Sequence, residues 1–396
     1  MVILFKTGTR SLGKPYLPHM GRRRNFGEGG LTAIRYAYPQ KMRKKSAKLP
    51  ALETSGHSAA GPGELALIQQ IRRRVAGGPG RVQLGIGDDC ALLQLRPGEE
   101  VAVTTDLSID GRHFRLEWHP AEAVGHRTLA RGLSDLAAMG ARPIGAFLSF
   151  GLPRELAKSG MVAGGWVARF FDGLLALAET HGTVLAGGDL AQSPVALADI
   201  VLLGAIPRGN ALLRSGAQAG DELYVTGALG GAAAGLERLA KWAAAGKPGA
   251  RGKERRIPVD FAAELAAHLY PQPRVQQGLW LQRRRVASSA IDISDGFSTD
   301  LAHICEESGV AAEVDAALLP VHAGATRAQA LHGGEDYELL FTVPDGARVP
   351  NAIAGVAVTR IGRMVRRRAG GAQITLLEGR QKLPLEAQGW EHFSED

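Results

Sequence analysis

The chain has 396 residues, 45% of them hydrophobic and 22% charged, and a formal net charge of +8. That length leaves room for two domains with a core each. No apolar run approaches the roughly 18 residues of a membrane span, MVILF at 1–5 is too short for a signal-peptide core, and Cys90 and Cys305 lack metal-ligand spacing, which together point to a reduced, cytoplasmic setting.

The positive charge is local. Residues 1–50 hold 12 of the 47 Lys and Arg but one of the 39 acidic residues, leaving the remainder at −3. A near-neutral body argues against nucleic acid as the partner. The basic stretch 1–62 has no sustained periodicity and reads as a disordered extension; a translation start placed too far upstream would also explain it. Within it, Gly8-x4-Gly13-Lys14 approaches a P-loop, but Pro15 stands where Ser or Thr should follow and no helix pattern comes after.

Folded sequence is expected from Gly63. ELALIQQIRRRV (64–75) has helical spacing. Strands are expected at 101–105, 143–150, 183–186 and 196–206, and helices at 120–140 and 159–181. A boundary after 207 divides an N-terminal domain, 63–207, from a C-terminal domain, 208–396. The second half reads as a strand (221–227), a small-residue helix (230–245), an exposed loop (247–258), a strand (288–293), a helix (297–308) and a strand (337–343). GWEHF (389–393) closes the chain. Strands and helices mix throughout, so both domains should be α/β or α+β.

Acidic residues recur at the ends of Gly-flanked apolar runs: GIGDD (85–89), TTD (104–106), GGD (187–189), IDISDG (291–296) and GGEDYE (333–338), with LSD (133–135) inside a helix-like stretch. Hard cations such as Mg²⁺ take oxygen ligands, usually one or two carboxylates plus substrate phosphates. Asp135 is the most telling, because a carboxylate among Leu and Ala is costly unless it is paired or holds a metal; Arg131 is the alternative partner. Asp89 and Asp106 read equally as turn residues. Thr104 and Thr105 could add oxygens. Gly188 would let backbone approach a phosphate beside Asp189. Asp292 and Asp295 bracket Ser294 at a strand-to-helix junction, where Asp295 could instead cap the helix. Arg214 could clamp a phosphate or be a solvated turn residue. His113 could contact an anionic substrate, and Trp390 could stack on a flat ring or pin the last segment.

In the order GIGDDCALL, TTD…GRHF, LSDLAAMGA, GGD, RSGA…YVTG, IDISDG and GGEDYELLF, the chain resembles the thiamine-monophosphate kinase family, within the aminoimidazole ribonucleotide synthetase-like ATP-binding superfamily. The resemblance covers about 63–393. It implies a two-domain fold whose N-terminal sheet pairs across a homodimer. It also implies transfer of phosphate from ATP to thiamine monophosphate with several Mg²⁺ ions, giving thiamine diphosphate. By matching motifs, it implies metal roles for Asp89, Thr104, Thr105, Asp106, Asp135, Asp189, Asp292 and Asp295, with Asp135 and Asp189 central to catalysis. Gly188, Asp189, Arg214 and Ser294 would touch ATP, and His113, Glu335 and Trp390 the thiamine phosphate. An aromatic residue near the adenine is expected, with Trp166 as the candidate. LSID at 107–110 and Gly132 before LSD depart from the family pattern.

Overall fold

Four long strands of the first half form one sheet in the order Glu99–Ile109, Leu197–Pro207, Arg142–Leu152, Val184–Gln192. The first three are antiparallel neighbours and the last two run parallel. Strand side chains alternate between faces, and on Glu99–Ile109 the alternation is inverted from the usual pattern. Thr104, Asp106 and Ser108 turn inward, while Val101, Val103 and Leu107 are 46%, 58% and 43% exposed.

The structure, a computed structural model, describes residues 63–75, 81–245 and 257–390, all within one compact unit, 58–396. The basic stretch 1–62 with its near P-loop, most of the expected loop 247–258 and residues 391–396 lie outside the described residues.

Helix Ala121–Ala138 lies on the inner face of this sheet, burying Leu129, Leu133 and Leu136. Helix Trp166–Thr180 crosses it so closely that a Cβ on Gly125 would sit 1.9 Å from the Phe170 carbonyl oxygen. Only glycine permits that approach. At its other end, helix Val275–Arg284 crosses at Gly278, where a Cβ would meet the Ala137 carbonyl at 2.0 Å. Asp135 therefore sits on a helix clamped on three sides.

The second half builds an eight-stranded sheet. Its path runs Gln381–Pro384, Ile374–Glu378, Val310–Asp315, Val356–Arg366, Glu222–Thr226, Leu339–Val343, Ser289–Asp292, with Ala352–Ile353 paired to Val356–Arg366. Helix Phe297–Ser308 covers it through Phe297, Leu301 and Ile304. Ala290, Leu339 and Phe341 join the core of the first half, so the innermost strands of the two sheets share one apolar interior.

The expected strands and helices are found, but the strands expected to stop at 105 and 186 run on to Ile109 and Gln192, so Asp106 and Asp189 lie inside them. The helix expected over 159–181 starts only at Trp166, because Gly160 and Gly164 take φ of 49° and 80° and break the preceding turn. The helices between Val259 and Arg284 and the strands beyond Val310, apart from Leu339–Val343, were not read from the sequence.

Candidate functional site

A cavity of about 440 Å³ opens where the two halves meet, lined by residues that include Asp106, Asp135, Asp292, Asp295, Glu335 and Trp390. Each carboxylate is delivered by a different element. Asp106 points inward from the first strand, Asp135 from the clamped helix, and Asp292 from the end of Ser289–Asp292. The Thr104 hydroxyl donates to Asp135 Oδ2. The Ser134 hydroxyl donates to Asp292 Oδ2 at 2.6 Å. Arg131 approaches Asp106 at 3.5 Å and not Asp135.

Burial, and then the neighbouring Asp135 charge, push the Asp106 carboxyl up to about 7 against the pull of Arg131. Burial raises Asp135 and, with help from the Asp135 charge, raises Asp292 well above the carboxylate range. Asp106 Oδ2 is buried with no hydrogen-bond partner. Among the described residues, no three His, Cys, Asp or Glu side chains converge closely enough to hold a metal ion as they stand. The chemistry of the set nevertheless suits one: all-oxygen donors, like charges forced into a dry site, and an orphaned acceptor oxygen.

The acidic turn GGEDYE forms the opposite wall. Glu335 and Tyr337 have φ of 67° and 52°, held by backbone bonds from Glu335 N–H to the Ser294 carbonyl (2.8 Å) and Tyr337 N–H to the Ile293 carbonyl (2.9 Å). Side chains rarely adopt this region, and such strain concentrates at functional sites. Arg127 donates to both Glu335 oxygens at 2.7 Å. Burial alone would raise Glu335, but Arg127 holds its carboxyl below the usual value.

Behind Arg127 lies a buried histidine pair that the sequence reading missed. Arg127 Nη1 donates to His268 Nδ1 at 3.1 Å, and the Nε2 atoms of His268 and His119 share a hydrogen bond at 3.0 Å. His119 Nδ1 lies against the Arg115 backbone, 3.1 Å from its N–H and 3.3 Å from its carbonyl oxygen. Burial first, and Arg127 second, hold His119 down to about 3 and His268 well below its ordinary value. Both are neutral when folded, whereas an unfolded His titrates near about 6.5. The stabilisation from neutral burial is therefore present above about pH 6.5 and is lost as pH falls from there toward 3, at up to about 1.4 kcal/mol per pH unit per group. The raised carboxylates act oppositely in this window, so the comparison must be differential. The stability of the native chain minus that of His268→Gln should shrink between pH 7.5 and 5 in urea denaturation; parallel curves would refute this assignment.

The remaining sequence candidates divide. His113, Ser294, Asp295, Glu335 and Trp390 line the same cavity as the three carboxylates. Trp390 is 57% exposed and its backbone N–H donates to the Asp295 carbonyl at 3.0 Å. Asp295 is not the helix cap: Gly296 occupies that position. Asp300, unnoticed in the sequence, reaches back to accept the N–H groups of Ser294, Asp295 and Gly296 at 3.1, 3.2 and 3.1 Å. Arg214 is exposed, with its charge felt at Asp135. Thr105 is exposed on the face opposite Thr104. Asp89 lies in an exposed turn, outside this cavity.

Gly188 and Asp189 instead line a second, smaller cavity of about 90 Å³ with Ile68, Ile71, Phe150 and Phe171. The ring of Trp166 lines neither cavity. It is 8% exposed and packs on Phe150 and Phe170, with centroids 6.2 and 5.6 Å away. The aromatic walls facing Gly188 belong to Phe150 and Phe171. Gly132, a departure from the family pattern, has a local reason: a Cβ there would lie 2.7 Å from Leu202 Cδ1.

Comparison with known proteins places this geometry. Residues 87–206 match the N-terminal domain of AIR synthase related proteins, and residues 218–375 their C-terminal domain. The chain is 37% identical over 348 residues to thiamine-monophosphate kinase of Escherichia coli (strain K12), a match covering 84% of this chain and 98% of that one. It superposes on the crystal structure of thiamine-monophosphate kinase from Stenotrophomonas maltophilia K279a with a TM-score of 0.66 at 38% identity, covering 79% of this chain and 96% of that one. AaThiL complexed with AMPPCP and TMP gives a TM-score of 0.62 at 28% identity, covering 84% of this chain and 97% of that one. With its two-sheet fold and the carboxylate-lined cavity between them, the chain belongs to the thiamine-monophosphate kinase family.

Proposed function

We propose that this chain uses ATP to phosphorylate thiamine monophosphate, giving thiamine diphosphate and ADP. The observation that carries the reading is the meeting of Asp106, Asp135 and Asp292 from three elements at one cavity, in a chain whose fold matches AaThiL complexed with AMPPCP and TMP. An oxygen of the acceptor phosphate attacks the γ-phosphorus of ATP. The new P–O bond forms as the bond to the β-bridging oxygen breaks, and ADP carries away the electron pair. The acceptor is already ionised near neutral pH, so no strong general base is needed. Positioning and electrostatics carry such a transfer.

Asp106, Asp135 and Asp292, with Asp89, Asp189, Asp295 and oxygens of Thr104 and Thr105, are the residues proposed to hold Mg²⁺. Bound there, the ions would offset the repulsion between donor and acceptor phosphates. Glu335, fixed by Arg127, and His113 and Trp390 would hold the thiamine moiety. Ser294 and Arg214 would face ATP. The small cavity bounded by Phe150, Phe171, Gly188 and Asp189 is proposed to take one edge of the nucleotide, with these two rings there instead of Trp166.

A homodimer through the first sheet is supported by the exposed apolar row Val101, Val103 and Leu107 on an edge strand. Such rows are uncommon on monomers. Val103→Lys should convert dimer to monomer in light-scattering mass measurement; an unchanged mass would sink this arrangement. A division into two domains near residue 207 is supported by the two sheets lying on either side of it.

The primary test is incubation of purified protein with ATP, Mg²⁺ and thiamine monophosphate, with separation of the thiamine esters. Thiamine diphosphate should accumulate, thiamine alone should give none, and a chain lacking residues 1–55 should retain the activity. Absence of product would overturn the proposal.

A further inference from the structure

We infer that Arg131 is a substrate-binding residue of this site, donating to the phosphate of thiamine monophosphate and so discriminating it from unphosphorylated thiamine. The inference rests on the function proposed above and adds a residue to it. Arg131 lies on the clamped helix four residues before Asp135, a spacing that puts both on one face, and both line the main cavity.

Its pairing is incomplete. Nε stands 3.5 Å from Asp106 Oδ1, a long contact for a hydrogen bond. Nη1 is buried with no hydrogen-bond partner, and so is Asp106 Oδ2. A structural ion pair would be expected to close these valences, since an unmade buried bond costs more than a made one contributes.

The neighbours explain why this donor matters. The cavity wall carries Asp106, Asp135, Asp292, Asp295 and Glu335, a field that repels a phosphate. Arg127 is committed to Glu335 and His268. Arg112 and Arg115 are exposed, and Arg115 lies over the Trp118 ring at 5.2 Å. Among the described arginines that line this cavity, Arg131 alone has a buried donor with no acceptor. A guanidinium presents a planar fork matched to phosphate oxygens. Nη1 itself is turned inward, but the side chain keeps 19% exposure and lines the cavity, so the contact to Asp106 holds the fork in place while leaving part of it reachable.

The test is isothermal titration of the whole protein with thiamine monophosphate and with thiamine, in Mg²⁺ buffer without ATP, for the native chain, Arg131→Met and Arg131→Lys. Loss of charge-assisted hydrogen bonds should weaken thiamine monophosphate binding by about 10- to 100-fold in Arg131→Met. Thiamine binding should change less than about twofold, and Arg131→Lys should recover part of the loss. In steady-state assays the KM for thiamine monophosphate should rise while that for ATP stays nearly constant. An Arg131→Met affinity within twofold of the native value, or equal losses for both ligands, would overturn the inference and leave Arg131 as a counter-ion of Asp106. Arg131→Lys keeps the question decidable should Arg131→Met fold poorly. If the native chain neither prefers thiamine monophosphate nor phosphorylates it, the functional proposal itself fails, which is a separate outcome.

Discussion

Asp135→Asn should lower turnover by about 10³-fold or more and at the same time raise the melting temperature of the metal-free protein by a few degrees. The two effects have one cause. Asp135 is half-buried between Thr104 and the like charges of Asp106 and Asp292. Asn keeps the shape and can still accept the Thr104 hydroxyl, but removes a charge that burial disfavours. Stability rises because repulsion is relieved, and activity falls because the charge is what a phosphate-transfer site needs. Melting curves in EDTA and initial rates with Mg²⁺ and ATP would be compared on one preparation. A variant that is both less stable and nearly fully active would mark Asp135 as a structural residue and sink the cluster model.

Arg127→Met carries the largest expected cost to folding. Arg127 is 5% exposed and joins four groups: both Glu335 oxygens, the His268 ring nitrogen, the His268 carbonyl and the His113 carbonyl. Met preserves much of the apolar stem but leaves Glu335 without its counter-charge and the His268 carbonyl without that donor. Removing one partner of a buried pair costs about 3–5 kcal/mol, and the lower end applies because Glu335 keeps some solvent contact. The stability of Arg127→Met in urea should fall by about 3 kcal/mol. Adding Glu335→Gln should restore a large part of it, since the two residues act as one unit. Additive losses in the double variant would show that the pair is not coupled and that Arg127 acts through His268 alone.

Much of the first half was legible locally. Apolar alternation and helical spacing located Arg142–Leu152 and Ala121–Ala138 closely, and Phe297–Ser308 in the second half, because those signals repeat over several turns or strand periods. The stretch 159–165 reads as helix because Met161 and Val162 extend the apolar spacing, and the sequence does not reveal that Gly160 and Gly164 adopt positive φ there. The helices Ala266–Leu269 and Val275–Arg284 are short and pack on Ala121–Ala138, the first of them also on Gly231–Ala244, which no local pattern reports.

At the site, the sequence alone determined the chemical inventory: acidic residues beside apolar runs and on one helix, a Gly-Gly step before Asp189, and an ordered set of motifs that identified the family. Only the tertiary structure decided which of these meet. Asp106, Asp135 and Asp292 face one cavity while Asp189 faces another. Arg131 turns to Asp106, and Asp300 rather than Asp295 ties down the loop before its helix. The Glu335–Arg127–His268–His119 chain joins residues from both halves. Periodicity encodes which way a side chain points from its own element, whereas charge state and partnership depend on burial and on neighbours far along the chain, and those exist only once the two sheets have closed over the helix between them.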